Sequence, residues 1–175
     1  RSWHLITKRK IIHDAANCEA TPEESILVFK SSALSFQDIL HNSKFVLEEL
    51  TTNLNRNYRN AIDYDFSDSI TAHIRLGDFT MAPPEIVKAG QHNTRIPISW
   101  YVEVISTIRQ IVGWDIKVYI FSDGRDCELA PVLSLPNVKR ITFGTSAADI
   151  IALAKSPLFI ASGSSFSLWA RYLGR

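Results

Sequence analysis

Residues 69–79 read SITAHIRLGDF, an apolar, β-prone run with His73 and Arg75 in its middle and a break at Gly77-Asp78. With the two-residue period of a strand, Ile70, Ala72, Ile74 and Leu76 share one face and Thr71, His73 and Arg75 the other. A central parallel strand is apolar on both sides. A histidine and an arginine there need a carboxylate, a backbone carbonyl or an anionic ligand as partner. Arginine suits the last of these, because its planar fork matches phosphate oxygens bidentately. The alternative is an edge strand whose Thr/His/Arg face meets water.

A second cluster lies at residues 158–174, LFIASGSSFSLWARYLG. A strand runs into Gly163, Ser164 and Ser165 and then into a helix. The N-terminus of that helix offers free N–H groups and partial positive charge. The serines add hydroxyl donors and Gly163 permits close backbone approach. This is an anion site of the strand–loop–helix kind; equally, Ser164 or Ser165 can simply cap the helix. No Gly-Lys-Ser/Thr follows the glycine, so the Walker pattern is excluded. Asp149, three residues after Ser146, reads as a capping box with Asp in place of Glu, or as a carboxylate that accepts hydrogen bonds from a base or sugar. Asp123 in FSDG reads as a turn residue ahead of Gly124.

The elements that must position these residues follow from periodicity. Residues 25–31 form a short strand, and apolar positions from Leu47 to Tyr58 have helical spacing, which predicts one amphipathic helix over 43–60. A strand over 69–76 is followed by a long polar, Pro-containing loop over 81–97. The helix over 98–112 ends at Gly113. Next come a strand over 116–122, a short helical piece near 127–133, a strand over 137–144 and a helix over 145–156 with Pro157 beyond it. The strand at 158–162 leads into the last helix. Strands alternating with helices predict an α/β fold with a parallel sheet flanked by helices. Ligands of such sheets lie outside the carboxyl ends of the strands, and residues 75–78, 122–124, 144–146 and 162–165 all follow strands.

The totals set bounds. The chain has 175 residues, is 46% hydrophobic and 21% charged, and carries a formal net charge of +1. That composition supports a folded core and gives no argument for a nucleic-acid or membrane partner. Cys18 and Cys127 lack metal or disulfide spacing, and the compartment stays undecided. There is no membrane-length apolar run and no signal peptide. Both ends read as cut from a longer protein. Neither GxSxG nor HExxH occurs, so positioning and charge stabilisation are the chemistry expected rather than a covalent intermediate.

The motif HIRLGDF (73–79) resembles the His-x-Arg-Arg-Gly-Asp-Tyr motif of α-1,2-fucosyltransferases, shared in looser form by α-1,6- and protein O-fucosyltransferases. YIFSDG (119–124) resembles that superfamily's strand ending in Phe-Ser-Asp, and residues 149–173 resemble its Asp-led helix, strand and Ser-Ser-Phe-Ser…Trp-Ala segment. The resemblance covers 69–173 well and 25–58 loosely. It implies a two-lobed, GT-B-like glycosyltransferase whose Rossmann-like lobe binds the donor nucleotide. Residues 1–68 would then be an N-terminal segment, and 69–175 the GDP-sugar-binding lobe.

By the same resemblance Arg75 holds the diphosphate of GDP-fucose and His73 lies near the nucleotide. Asp149 reads the guanine, and Ser164, Ser165 and Phe166 meet the phosphates. No metal cofactor is implied; the partners are a GDP-sugar donor and a glycan acceptor. The reaction would be displacement of GDP by an acceptor hydroxyl with inversion, with Arg75 stabilising the leaving phosphate. Asp78 is the best-placed general base and Glu85 a second. The chain departs from the pattern at Leu76, where the motif has a second arginine, and at Phe79, where it has tyrosine. The glycine-rich N-terminal motif is missing. Leu76 keeps a second reading open, a binding module of the same fold without catalysis.

Overall fold

The computed structural model describes residues 10–13, 25–28, 37–89 and 94–175. The chain divides into two units, Arg1–Leu40 and His41–Arg175. In the first, β1 (Lys10–His13) and β2 (Ser25–Val28) pair in parallel. β1 falls where no periodicity was legible, and residues 29–31 of the expected strand lie outside the described residues.

The second unit holds the sheet. Its strands are β3 (Ser69–Ile74), β4 (Lys117–Ser122), β5 (Val138–Arg140) and β6 (Leu158–Ile160). Its helices are α1 (Ser43–Asn53), α2 (Asn60–Asp63), α3 (Pro84–Lys88), α4 (Ile98–Val112), α5 (Asp126–Leu133), α6 (Ser146–Ala154) and α7 (Ser165–Leu173). All strands are parallel, in the order β5-β4-β3-β6. Ile70 pairs with Val118 on one side and with Leu158 on the other. β3 is therefore central, and each of its six residues is buried, which rules out the edge-strand alternative.

The parity of β3 divides the core in two. Ile70, Ala72, Ile74 and Leu76 pack with Tyr101 and Ile105 of α4 and Leu129 and Val132 of α5. The opposite face carries an aromatic cluster of Phe66, Tyr119, Phe121 and Phe143 against Ala148 and Ala152 of α6 and Ala170 of α7. Each fully buried aliphatic side chain contributes about 1.5–3 kcal/mol, so this alternation pins the register of β3 and β4. Gly113 ends α4 with φ 114, a conformation that strongly favours glycine.

Several elements differ from the spacing-based expectation. The helix expected over 43–60 breaks after Asn53. Asn53 Nδ2 donates to the Glu49 carbonyl at 2.8 Å, Leu54 is extended, and Asn55 caps a separate 3₁₀ turn by accepting from Asn57 N at 3.0 Å. Asparagine side chains compete with the helical ladder in this way. The loop over 81–97 contains the short helix α3, opened by Pro84, a residue well suited to a first helical turn. β5 stops at Arg140. Its exposed Lys139 and Arg140 suit the edge of a sheet.

From β3 the chain builds β4 and β5 outward on one side and then crosses to place β6 on the other side of β3. The strand order reverses between β3 and β6, and in open α/β sheets this reversal opens a ligand crevice at the carboxyl ends. The loops flanking it are those after Ile74 and after Ile160.

Candidate functional site

On one wall of this crevice His73 meets the loop that enters α7. His73 Nδ1 lies 2.8 Å from Ser167 Oγ, 3.0 Å from Ser162 Oγ and 3.4 Å from Ser164 Oγ. Ser164 is the N-cap of α7 and accepts from Ser167 N. Ser167 Oγ in turn accepts from Ser162 N at 3.0 Å. The Phe166 ring stacks on the imidazole, centroids 4.5 Å apart. His73, at 5% exposure, and the three serines are buried, and Phe166 is half-buried. Burial pushes the imidazole down to about 4, the Arg75 charge adds to that, and Asp123 partly opposes it. His73 is therefore neutral near pH 7 and contributes an oriented hydrogen-bonding ring rather than a charge.

The cation is Arg75, one residue past the end of β3 and two-thirds covered. Its Nη1 pairs with Asp123 Oδ2 and its Nη2 with Asp78 Oδ1, each at 2.6 Å. The two carboxylates are held differently. Asp123 is 29% exposed and also accepts from Leu76 N at 2.8 Å. Asp78 is 76% exposed, on a turn closed by Phe79 N donating to Leu76 O. A Cβ on Gly77 would collide with the Asp123 carboxylate, which would have to shift from its place beside Arg75. The Arg75 guanidinium also lies 5.6 Å from the centre of the Phe79 ring, within cation–π range.

Leu76 is 3% exposed and packs in the α4/α5 core, on the face opposite His73. The arginine missing from the motif is thus not missing from the His73 side. The turn instead receives a guanidinium from Arg95, whose Nε donates to Leu76 O at 2.9 Å and Phe79 O at 2.7 Å.

Asp149 belongs to a different cluster. Its Oδ1 accepts from Phe143 N at 2.6 Å and its Oδ2 from Thr142 Oγ1 at 3.0 Å. Burial raises its pKa against the lowering effect of these bonds. It is not the capping-box partner of Ser146: the N-cap is Thr145, whose side chain accepts from Ala148 N. A groove of about 500 Å³ opens beside the start of α6, lined by Phe45, Leu50, Leu54 and Tyr58 with Thr145 and Ala147. Ser165 is exposed in the first turn of α7, and Glu85 is exposed in α3.

The structure thus gathers His73, Ser164 and Phe166 in one cluster and Arg75 with Asp78 in another. Asp149 has its hydrogen bonds elsewhere. Four residues that were given no site role from the sequence complete the arrangement. Ser167 follows from the helix cap, since the third position of a helix faces its N-cap, whereas Ser162 lies two residues ahead of the cap. Asp123 was visible as a turn residue and as the end of the Phe-Ser-Asp run, without a role, and Arg95 had no local signal. Among the described residues no group of three or more His, Cys, Asp or Glu could hold a metal ion, and no helix is long and apolar enough to cross a membrane.

A parallel sheet with helices on both faces, its polar residues gathered at the strand reversal, defines a Rossmann-like lobe. The model of Glycosyl transferase family 11 matches residues 25–175, and the chain belongs to this family of fucosyltransferases. No curated protein and no solved structure matches it.

Proposed function

We propose that the chain is the donor-binding part of an α-1,2-type fucosyltransferase that moves fucose from GDP-fucose to a glycan hydroxyl with inversion. The observation that carries the proposal is Arg75, a two-thirds covered cation at the reversal between β3 and β6, across from the capped N-terminus of α7. Family membership supports sugar transfer, and this geometry supports a diphosphate as the group held.

In this reading the acceptor oxygen attacks the anomeric carbon as the bond to the β-phosphate oxygen breaks, and GDP departs. Arg75 stabilises the charge that grows on the leaving phosphate. Asp78 takes the acceptor proton. Ser164, Ser165 and the first N–H groups of α7 meet the phosphates. His73, fixed by three serines and Phe166, offers an N–H or lone pair at a set angle beside the nucleotide. The guanine is assigned to Asp149 and the groove at the start of α6. Charge stabilisation is assigned to Arg75 and no metal is invoked.

The test uses the full-length protein. GDP should shift the melting temperature more than ADP or UDP, and GDP-fucose with an acceptor panel should release GDP. Arg75→Ala should abolish transfer with the fold intact. Full activity in that variant, or no preference for GDP, overturns the assignment.

A further inference from the structure

We infer that Arg95 is a positioning residue for transfer, acting through the turn that presents Asp78. The inference rests on the role proposed above for Asp78.

Arg75 and Asp78 are supported from different directions. Arg75 is anchored by Asp123 at the end of β4, and Asp123 is itself held by Leu76 N. Asp78 is mostly exposed, and among the described residues its carboxylate pairs with Arg75 alone. Its place therefore depends on the backbone of the turn. That backbone is gathered by one guanidinium. Arg95 Nε lies between Leu76 O at 2.9 Å and Phe79 O at 2.7 Å, and Nη2 is 3.3 Å from Gly77 O. The main chain of the same residue donates to Thr80 O at 2.8 Å, next to the bridge between Thr80 and Thr94. Behind it, Glu128 of α5 pairs with Nη1 at 3.3 Å and is fixed by Arg125 N at 3.1 Å.

Three carbonyls around Asp78 are thus drawn toward Arg95. In trans peptides the N–H points opposite the carbonyl of the same unit. The N–H groups of Gly77 and Asp78 therefore face away from Arg95. A lysine cannot replace this arrangement, because one ammonium lacks the planar fork that spans several acceptors.

The experiment compares Arg95→Lys with wild type in the full-length protein. The expected result is a split. The kcat falls on the order of 10- to 100-fold, as a misplaced reacting group costs, while the Kd for GDP changes by less than about 3-fold because Asp123 still anchors Arg75. Amide exchange at 77–80 accelerates. Adding Asp78→Asn to Arg95→Lys lowers kcat no further than Asp78→Asn alone, since both act through one group. Unchanged kcat, additive losses, or parallel loss of kcat and GDP affinity overturns the inference. If Arg95→Lys does not fold, Glu128→Gln should give a smaller split of the same sign. If wild type binds no GDP and transfers no fucose, the functional proposal fails. The exchange measurement then decides the Arg95 role by itself, and unaltered exchange at 77–80 rejects it.

Discussion

Arg75 Nη1 lies 2.6 Å from Asp123 Oδ2, which ties the residue after β3 to the residue after β4. Asp123 is not free to follow Arg75, because its other oxygen is held by Leu76 N at 2.8 Å. The pair is therefore a fixed bracket at the carboxyl edge of the sheet. Gly77 gives it room, since a side chain there would meet the Asp123 carboxylate.

Asp123→Asn tests the bracket. The asparagine oxygen can still accept from Leu76 N, but its amide would face the guanidinium donor to donor. Both partners are about a third exposed, so the stability change should stay under about 1 kcal/mol. GDP affinity should fall roughly 3- to 10-fold, because loss of a charge-assisted contact frees the fork that binds phosphate. Calorimetric titration beside a thermal melt measures both. Unaltered affinity would show that Arg75 needs no anchor.

Asp78→Asn should act in the opposite sense. Asp78 occupies Arg75 Nη2 at 2.6 Å from an exposed turn, so an incoming phosphate must displace it. Removing the negative charge should tighten GDP binding by a few-fold. Transfer should fall at least 100-fold with the loss of the base, the usual scale of general base catalysis. Tighter product binding together with lost turnover is a combination that simple unfolding does not produce. Retained turnover would move the base elsewhere, and Glu85 would be the next residue to replace.

The contrast between these two aspartates shows where the sequence was readable. The parity of β3 and the βα alternation follow from apolar spacing, which is local. The end of α4 at Gly113 is also local, while the cap of α7 was open between Ser164 and Ser165 and the backbone shows Ser164. The central position of β3 depends on its pairing with β6, far along the chain, and spacing alone left the edge alternative open. Apolar periodicity continued to Tyr58, yet α1 stops at Asn53, because asparagine side chains claim backbone groups that the helix needs. Thr145 and Ser146 are both good caps, and only the backbone shows that Thr145 is used. Asp123 and Arg95 owe their roles to partners distant in sequence: the Phe-Ser-Asp run marked Asp123 without its partners, and Arg95 belonged to no pattern.

His73 makes stability depend on pH. Its folded pKa is lowered to about 4, mainly by burial, from an ordinary value of 6.5. Between these values the unfolded chain binds a proton that the folded chain does not. Stability then rises with pH from about 4 to about 6.5 and is flat above. The contribution lost on acidification is roughly 3 kcal/mol. Urea melts at pH 7 and pH 5 should show a larger drop for wild type than for His73→Gln. Other titrating groups are common to both proteins and cancel in the difference. Equal drops would mean that His73 is protonated in the fold. The activity profile of wild type should likewise show no ionisation of His73 near pH 6–7.

Asp149 separates a structural role from a recognition role. Its carboxylate fastens the loop before α6 through Phe143 N and Thr142 Oγ1, and Thr142 Oγ1 accepts from Gly144 N at 3.1 Å. Asp149→Ala leaves these donors without their acceptor and should cost about 1–3 kcal/mol. Asp149→Asn keeps an oxygen for Phe143 N and an amide for Thr142 Oγ1, so it should melt within a few degrees of wild type. An ionised carboxylate has about four lone-pair sites, and two remain for the N–H donors on the guanine edge. The asparagine presents fewer acceptors, and its preference for GDP over ADP and UDP should fall by on the order of 10-fold, the usual size of a lost polar contact with a charged group. If Asp149→Asn keeps the full preference while Asp149→Ala is destabilised, Asp149 only fastens the loop. The base must then be read by other residues, and the groove lined by Tyr58 and Thr145 is where substitutions should be tried next.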